Sequence, residues 1–342
     1  MRKKLIHLSL FMINACAFAQ ENASGIEISG SADAYWKYDF ANQENISTYF
    51  ANDHNSISLG MLALAVKKST GKASFVGEVS FGPRGQYLTI PNGDGTDDNS
   101  FHLQNLYMNY AFTDKFSMTA GYMGTFVGYE VISPASNFHY STSYLFGAGP
   151  FQNAGIKGTY VFSDKVSLMA GIFNDWNMYK DLNGVSHFGA QLSLAPVNGL
   201  SIYANFLTGT SAGGKDEYSS GTIYDLVASY DFTEKLSLGL NAADYSFRTE
   251  GGYQGIALYP KYNITEYAQI GLRGEFFKVK DVEGEDGNKL TSFTLSGKFT
   301  HGGLALIPEL RLDNSKYEVF KKSDLTDTKS ASQFSLALVY AF

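Results

Sequence analysis

From about residue 26 the chain alternates apolar and polar side chains with a period of two, which places alternate residues on opposite faces of extended strands. The clearest run is the last. Phe334, Leu336, Leu338, Tyr340 and Phe342 share one face, and Gln333, Ser335, Ala337, Val339 and Ala341 share the other. Ile26 to Asp39 gives a first strand with Ile28, Ala32, Ala34, Trp36 and Tyr38 on one side. Ser29, Ser31, Asp33, Tyr35 and Lys37 lie on the other. Ile57 to Lys67 and Ala73 to Gly82 follow as strands around the tight turn Ser69-Thr70-Gly71. In the Ile57 strand, the alternation turns Leu62, Leu64 and Val66 toward the polar side. Pro260 and Pro308 fall inside expected strands, where each removes a ladder donor, so either a bulge or a displaced strand boundary is expected there.

Beyond residue 100 the pattern becomes rhythmic. The junction Phe112-Thr113-Asp114-Lys115 recurs as Phe162-Ser163-Asp164-Lys165 and Phe232-Thr233-Glu234-Lys235, with Ile264-Thr265-Glu266-Tyr267 as a looser copy. These read as short hairpin turns, the first three entered from an aromatic residue at one fixed height. Between them lie long polar connections, near residues 40–55, 84–100, 129–151, 175–185, 210–220, 248–252, 281–289 and 314–331. Short and long connections alternate strictly. The strand candidates number about sixteen and run longer than the usual five or six residues. The expected fold is therefore all-β, a transmembrane up-and-down antiparallel β-barrel of about 16 strands. Its short turns would face the periplasm and its long loops the outside.

Composition changes the picture in two places. Arg2, Lys3 and Lys4, the apolar run Leu5 to Ile13 and the small-residue site Ala17-Phe18-Ala19 read as a secretory signal peptide over 1–19, leaving 20–342 as the barrel. The chain's one cysteine, Cys16, falls in that segment. Without the signal's three bases, 23 Lys and Arg stand against 33 Asp and Glu, an acidic balance that argues against nucleic acid as a partner. Phe 26, Tyr 23 and Gly 35 against Pro 7 suit many strands joined by tight turns.

A barrel of this size encloses an aqueous channel. The polar faces of its strands supply the expected channel-lining residues: Asp33, Lys37, Glu78, Lys157, Asp225, Asp231, Arg273, Glu275, Lys298, Glu309, Arg311 and Asp313. With Glu27 and Lys261 added, acids outnumber bases, so a mild cation preference is expected. The long segment Tyr129 to Gln152, with Glu130, Asn137, His139 and Tyr140, is the candidate constriction loop. It either folds into the lumen or packs outside on its neighbours. The expected function is a porin: passive diffusion of small hydrophilic solutes across the outer membrane of a Gram-negative-type bacterium, with no cofactor. The rival reading is a plugged receptor or adhesin barrel that binds a macromolecule through its long loops.

Gly128-Tyr129-Glu130 with Asn137 and Ser141 resembles the G-x-E … N … S segment of the OmpL-like family of outer-membrane β-barrel porins. Phe173-Asn174-Asp175-Trp176-Asn177 is similar to that family's N-G-W-D/N element, with Asp175 in place of the glycine, and Ser31 to Tyr35 resembles its early D-x-Y strand. The resemblance spans most of the mature chain and implies a channel-forming barrel with no established substrate. Phe342 also resembles the carboxyl-terminal signature read by the barrel assembly machinery. Lipids of the outer membrane and small hydrophilic solutes are the other expected partners, with a homo-oligomer possible.

No enzyme is expected. The histidines have neither the i, i+4 spacing nor the paired cysteines of a metal site, so none is expected to bind metal. Ser186 and His187 are the one adjacent Ser-His pair, and neighbours in a strand face opposite ways. The acidic runs Asp94–Asp98 and Glu283–Asn288 do not complete a calcium-loop pattern. Extraction separates the fold classes. A barrel should require detergent and show heat-modifiable gel mobility, whereas a secreted β-sandwich should dissolve without detergent.

Overall fold

The computed structural model describes residues 25–86, 101–180, 184–212, 218–247, 251–282 and 284–342. The proposed signal segment, Cys16 and the Asp94–Asp98 run lie outside them. Period-two alternation yields β1 (Glu27–Asp39), β2 (Ile57–Thr70), β3 (Ala73–Phe81), β4 (Phe101–Ala111), β5 (Phe116–Gly124), β6 (Gln152–Ser163), β7 (Val166–Phe173) and β8 (His187–Leu194). It continues with β9 (Leu200–Ala212), β10 (Tyr218–Asp231), β11 (Leu236–Phe247), β12 (Gly252–Asn263), β13 (Ala268–Val279), β14 (Lys289–His301) and β15 (Leu304–Ser315). The last long connection holds a small hairpin of β16 (Phe320–Lys321) and β17 (Asp327–Thr328), and β18 (Ser330–Ala341) follows. Two single-turn helices, α1 (Pro83–Gln86) and α2 (Tyr144–Ala148), lie in connections.

Strands β1 to β15 and β18 form one closed antiparallel barrel, each paired with its neighbours in sequence. Closure joins β18 to β1 in register from Ser31↔Ala341 to Asp39↔Gln333. The seam ends on reciprocal backbone bonds, Gly30 N–H to Phe342 O at 3.1 Å and Phe342 N–H to Gly30 O at 3.0 Å. The described ends of the chain and all the short turns lie at one rim, and the long connections lie at the other.

The apolar faces point outward around the whole circumference. Ile156, Phe188, Leu226, Ile256, Leu272, Leu306 and Leu338 are each at least 40 % exposed, so no second protein layer covers them. An exposed apolar belt of this extent suits hydrocarbon rather than water. At the short-turn rim the repeated junctions set three edge-to-face pairs: Tyr110/Phe112 and Tyr160/Phe162 at 4.9 Å, and Tyr230/Phe232 at 4.5 Å. The hydroxyl in each junction shapes the turn. Thr113 Oγ1 accepts from the backbone N–H of Lys115 and Phe116, and Thr233 Oγ1 from those of Lys235 and Leu236. Ser163 Oγ accepts from Lys165 N–H.

The structure corrects two expectations. Leu62 and Leu64 face outward, because the β1/β2 register shifts between Ala32 and Ala34, setting Gly60 and Met61 opposite Asp33. A bulge of this kind exchanges the two faces of the strand beyond it. Asp33 Oδ1 holds the bulge by accepting from Met61 N–H at 2.9 Å. Pro260 and Pro308 mark neither bulge nor boundary. The β12/β13 pairing runs Leu258↔Gly274 and then Lys261↔Gly271, and β14/β15 runs Ser296↔Glu309 and then Phe299↔Leu306. Each register continues unshifted across the proline, and only the local ladder bonds lapse. The opposite sides stay paired, as Leu238↔Pro260 and Pro308↔Leu336.

Gly60 is required at the bulge by space. A Cβ there would stand 1.8 Å from Asp33 Oδ2. Gly60→Ala should therefore displace the carboxylate and cost about 1–3 kcal/mol, the usual range for overpacking. The check is a lower midpoint of urea unfolding in detergent micelles, read by heat-modifiable mobility.

Candidate functional site: a loop folded into the barrel

The connection between β5 and β6, residues 125–151, folds inward and lies against the mid-height barrel wall. Its polar groups meet the inward carboxylates and guanidinium groups one by one. Glu309, on β15, accepts from the consecutive backbone N–H groups of Tyr140 (2.9 Å) and Ser141 (3.1 Å). Glu275, on β13, does the same for Tyr144 (3.0 Å) and Leu145 (2.8 Å) at the start of α2. Arg273 donates to Glu130 Oε1 at 2.8 Å and to the Ser141 carbonyl at 2.6 Å. Arg311 donates to the Thr142 carbonyl at 2.7 Å and, through Nε, to Asp313 at 2.8 Å. Glu130 in turn accepts from the N–H and hydroxyl of Ser143.

Tyrosine hydroxyls and two amides complete the seam. Tyr140 OH donates to Asp33 at 2.5 Å, and Tyr144 OH to Asp313 at 2.6 Å. Asn137 turns the loop back on itself, accepting from Val131 N–H and donating to the Val131 carbonyl. His139 Nδ1 lies 2.7 Å from Ser296 Oγ, which itself donates to Glu309. Lys298 Nζ donates to the Asn137 carbonyl at 2.9 Å. On the far wall Asp225 accepts from Gly128 N–H and from the amides of Asn205 and Asn241. Burial of these charges is tolerable because each is hydrogen-bonded, and Arg273 and Arg311 are also ion-paired with Glu130 and Asp313.

The loop therefore gathers most of the expected lining residues into a dry seam. Asp33, Lys37, Asp225, Arg273, Glu275, Glu309, Arg311 and Asp313 face inward but are buried, as are Glu130, Asn137, His139 and Tyr140 of the loop. Lys37 Nζ meets the Ile46 carbonyl of the first connection at 3.4 Å. Lys298 is half-buried at the loop's edge. Glu78, Lys157 and Asp231 stand outside the seam: Glu78 accepts from Asn105 at 2.5 Å, Lys157 is half-buried on β6, and Asp231 is exposed at the short-turn rim.

Several participants carried no usable signal in the sequence. Arg84 lies outside the strands, yet it is buried and donates to the carbonyls of Ile132 and Tyr140, over the rings of Phe50 and Tyr140. Inward glycines receive the loop's rings. A Cβ at Gly239 would stand 2.5 Å from Tyr129 OH, and one at Gly271 would stand 2.4 Å from the Phe138 ring. The lumen wall near the long-loop rim is apolar, contrary to the expectation of a polar interior. Phe173, Leu207, Ile223, Tyr253, Phe277 and Leu290 are buried there beneath Val127 and Leu145 of the loop, Ile46 of the first connection and Phe320 of the last. Those two outer connections are clasped to each other. Asn45 Nδ2 donates to the Lys321 carbonyl at 2.8 Å, and Lys321 N–H donates to Asn45 Oδ1 at 2.6 Å.

The remaining candidate chemistry is local. Ser186 Oγ and His187 Nδ1 do meet, at 2.8 Å, because Ser186 precedes β8 and escapes the strand alternation. The Asp175 carboxylate stands 3.9 Å from His187 Nε2, beyond hydrogen-bond reach, so the three do not form a relay. No cluster of metal-ligating side chains occurs among the described residues. In the acidic outer connection Asp286 pairs with Lys316 at 2.6 Å, which pushes the lysine up to about 12. The Gly287 N–H and Lys278 hold the Asp281 carboxyl below the usual carboxylate range.

The family model described as "Putative beta-barrel porin-2, OmpL-like" matches residues 25–342. No curated protein sequence matches. Solved structures share the fold. The trimer form of OmpT from Vibrio cholerae is 12 % identical, with a TM-score of 0.61 over 94 % of this chain and 100 % of that one. The outer membrane channel DcaP of Acinetobacter baumannii is 11 % identical, with a TM-score of 0.63 over 93 % and 97 %. An anion-selective porin from Comamonas acidovorans is 14 % identical, with a TM-score of 0.64 over 94 % and 100 %.

Arg273→Ala leaves Glu130 buried without its partner, a loss that costs about 3–5 kcal/mol in comparable pairs. The loop should undock while the barrel persists. Chymotrypsin should then cut within residues 125–151 in the variant and spare them in the unmodified protein, with heat-modifiable mobility unchanged in both.

Proposed function

Because the chain belongs to the OmpL-like beta-barrel porin-2 family, whose model covers residues 25–342, we propose that it is a porin for small hydrophilic solutes, narrowed at mid-height by its own 125–151 loop. The protein is an outer-membrane barrel, and a general diffusion-channel role follows from its family and fold. The finer reading is supported above all by the loop's seat. A closed sixteen-stranded barrel is wide enough for an aqueous path, and the loop takes up one side of it. Movement through such a path is passive and is limited by its width and by the charges that face water.

No step of this mechanism needs a cofactor or an energy source. The seam residues position the loop rather than meet the solute: Glu309 and Glu275 hold its backbone, and Arg273 and Arg311 hold its carbonyls. Arg273 is matched by Glu130 and Arg311 by Asp313, and backbone N–H groups hold Glu275 and Glu309, so the loop stays in place with these groups buried. Phe342 is the residue by which assembly machinery would recognise the chain. Self-association, as in the trimer form of OmpT, belongs to the same reading.

Liposome swelling with sugars of graded size tests the proposal. Uptake should fall steeply with solute size in the unmodified protein, and Arg273→Ala should admit larger sugars. No swelling with any sugar would instead support the plugged receptor.

A further inference from the structure

The seam accounts for the inward charges on one side of the lumen and leaves the other side open. The loop's hydrogen bonds run from Gln191 on β8 and Asp225 on β10 through Arg273, Glu275, Ser296, Glu309 and Asp313 to Asp33 on β1. Between them, on β3 to β6, Glu78, Asn105, Asn109, Lys157 and Thr159 stay half-buried, and no side chain among them bonds to the loop. A polar arc facing an inserted loop is where water remains. On the channel reading above, we infer that solutes pass along this β3–β6 arc and that Lys157 is its specificity-determining residue, drawing small anions into the gap.

Lys157 faces inward, opposite Thr119 in the β5/β6 register. Among the described residues it makes no hydrogen bond or ion pair, so its charge is offered to whatever enters. Glu78 is the one acid on the same arc, and its carboxylate is engaged by Asn105. It stands three strands away, about 14 Å at ~4.8 Å per strand. That exceeds the ~8–10 Å over which exposed charges act in physiological salt. Toward the short-turn rim the inward charges are Lys261 and Lys298, near enough to repel each other, and Asp231 beside Lys261. Glu27 is paired there with Lys67. The acids that suggested cation preference in the sequence are chiefly those buried in the seam, where backbone N–H groups, amides, hydroxyls and guanidinium groups occupy their oxygens. The groups still facing water favour anions instead.

Bilayer recordings under a potassium chloride gradient test this. The unmodified channel should have a reversal potential on the anion side. Lys157→Gln should shift it toward the cation side, and Lys157→Arg should restore it. Cysteine placed at Asn109 or Thr159 should lose current to a charged thiosulfonate. Cysteine at Ser335, which is buried on β18, should keep it. An unshifted potential in Lys157→Gln, a cation-side potential in the unmodified protein, or equal loss of current at position 335 overturns the assignment. Absence of any conductance overturns the channel reading itself, a distinct result.

Discussion

In hydrocarbon no water is available to the peptide groups of an open sheet edge, and each unsatisfied group there costs several kcal/mol. The closure of β18 onto β1 answers that constraint, and the other features follow from it. A closed ring fixes an inside and an outside, so every strand must commit one face to each. The bulge at Gly60 is the place where β2 would otherwise have committed the wrong face, and Asp33 holds it there. The two prolines are tolerated for the same reason. Each lacks a donor on one side only, and the neighbour on the other side keeps the ring continuous.

Closure also creates a space that must hold either water or protein. Here it holds both. The loop enters with backbone groups that cannot pair within a sheet, and the wall supplies carboxylates and guanidinium groups at matching positions. Neither partner would be stable alone at that depth: the carboxylates would be unpaired charges and the loop would bury unsatisfied N–H and C=O groups. Together they make a buried, hydrogen-bonded seam. The aromatic rings seated on Gly239 and Gly271 add contact where the wall has no side chain.

Much of this fold could be read from the chain. Period-two alternation, the Phe-Thr-Asp-Lys junctions and the regular exchange of short and long connections all report local geometry, which sequence encodes directly. The inward orientation of Arg273, Glu275, Glu309, Arg311 and Asp313 was legible for the same reason. Their partners were not. Glu309 meets Tyr140 across 169 residues of sequence and Arg273 meets Glu130 across 143, and no periodicity reports such contacts. Counting lumen charges therefore could not say which of them the loop would bury. Arg84 was invisible because a lone base in a polar connection looks like solvated surface. The Gly60 bulge left a trace in the misplaced Leu62 and Leu64, but alternation alone cannot separate an inserted residue from a buried apolar lumen face.

The clasp between Asn45 and Lys321 bears on how the outer surface can change. Loops at a barrel mouth ordinarily diversify one at a time, each free to lengthen or shorten under pressure from antibodies or phage. Here the first and last connections share two bonds from the Asn45 amide to the Lys321 backbone, and both reach one apolar cluster through Ile46 and Phe320. An insertion in either would strain the bonds that hold it to the other. An external ligand would meet them as one composite epitope rather than as two separate ones.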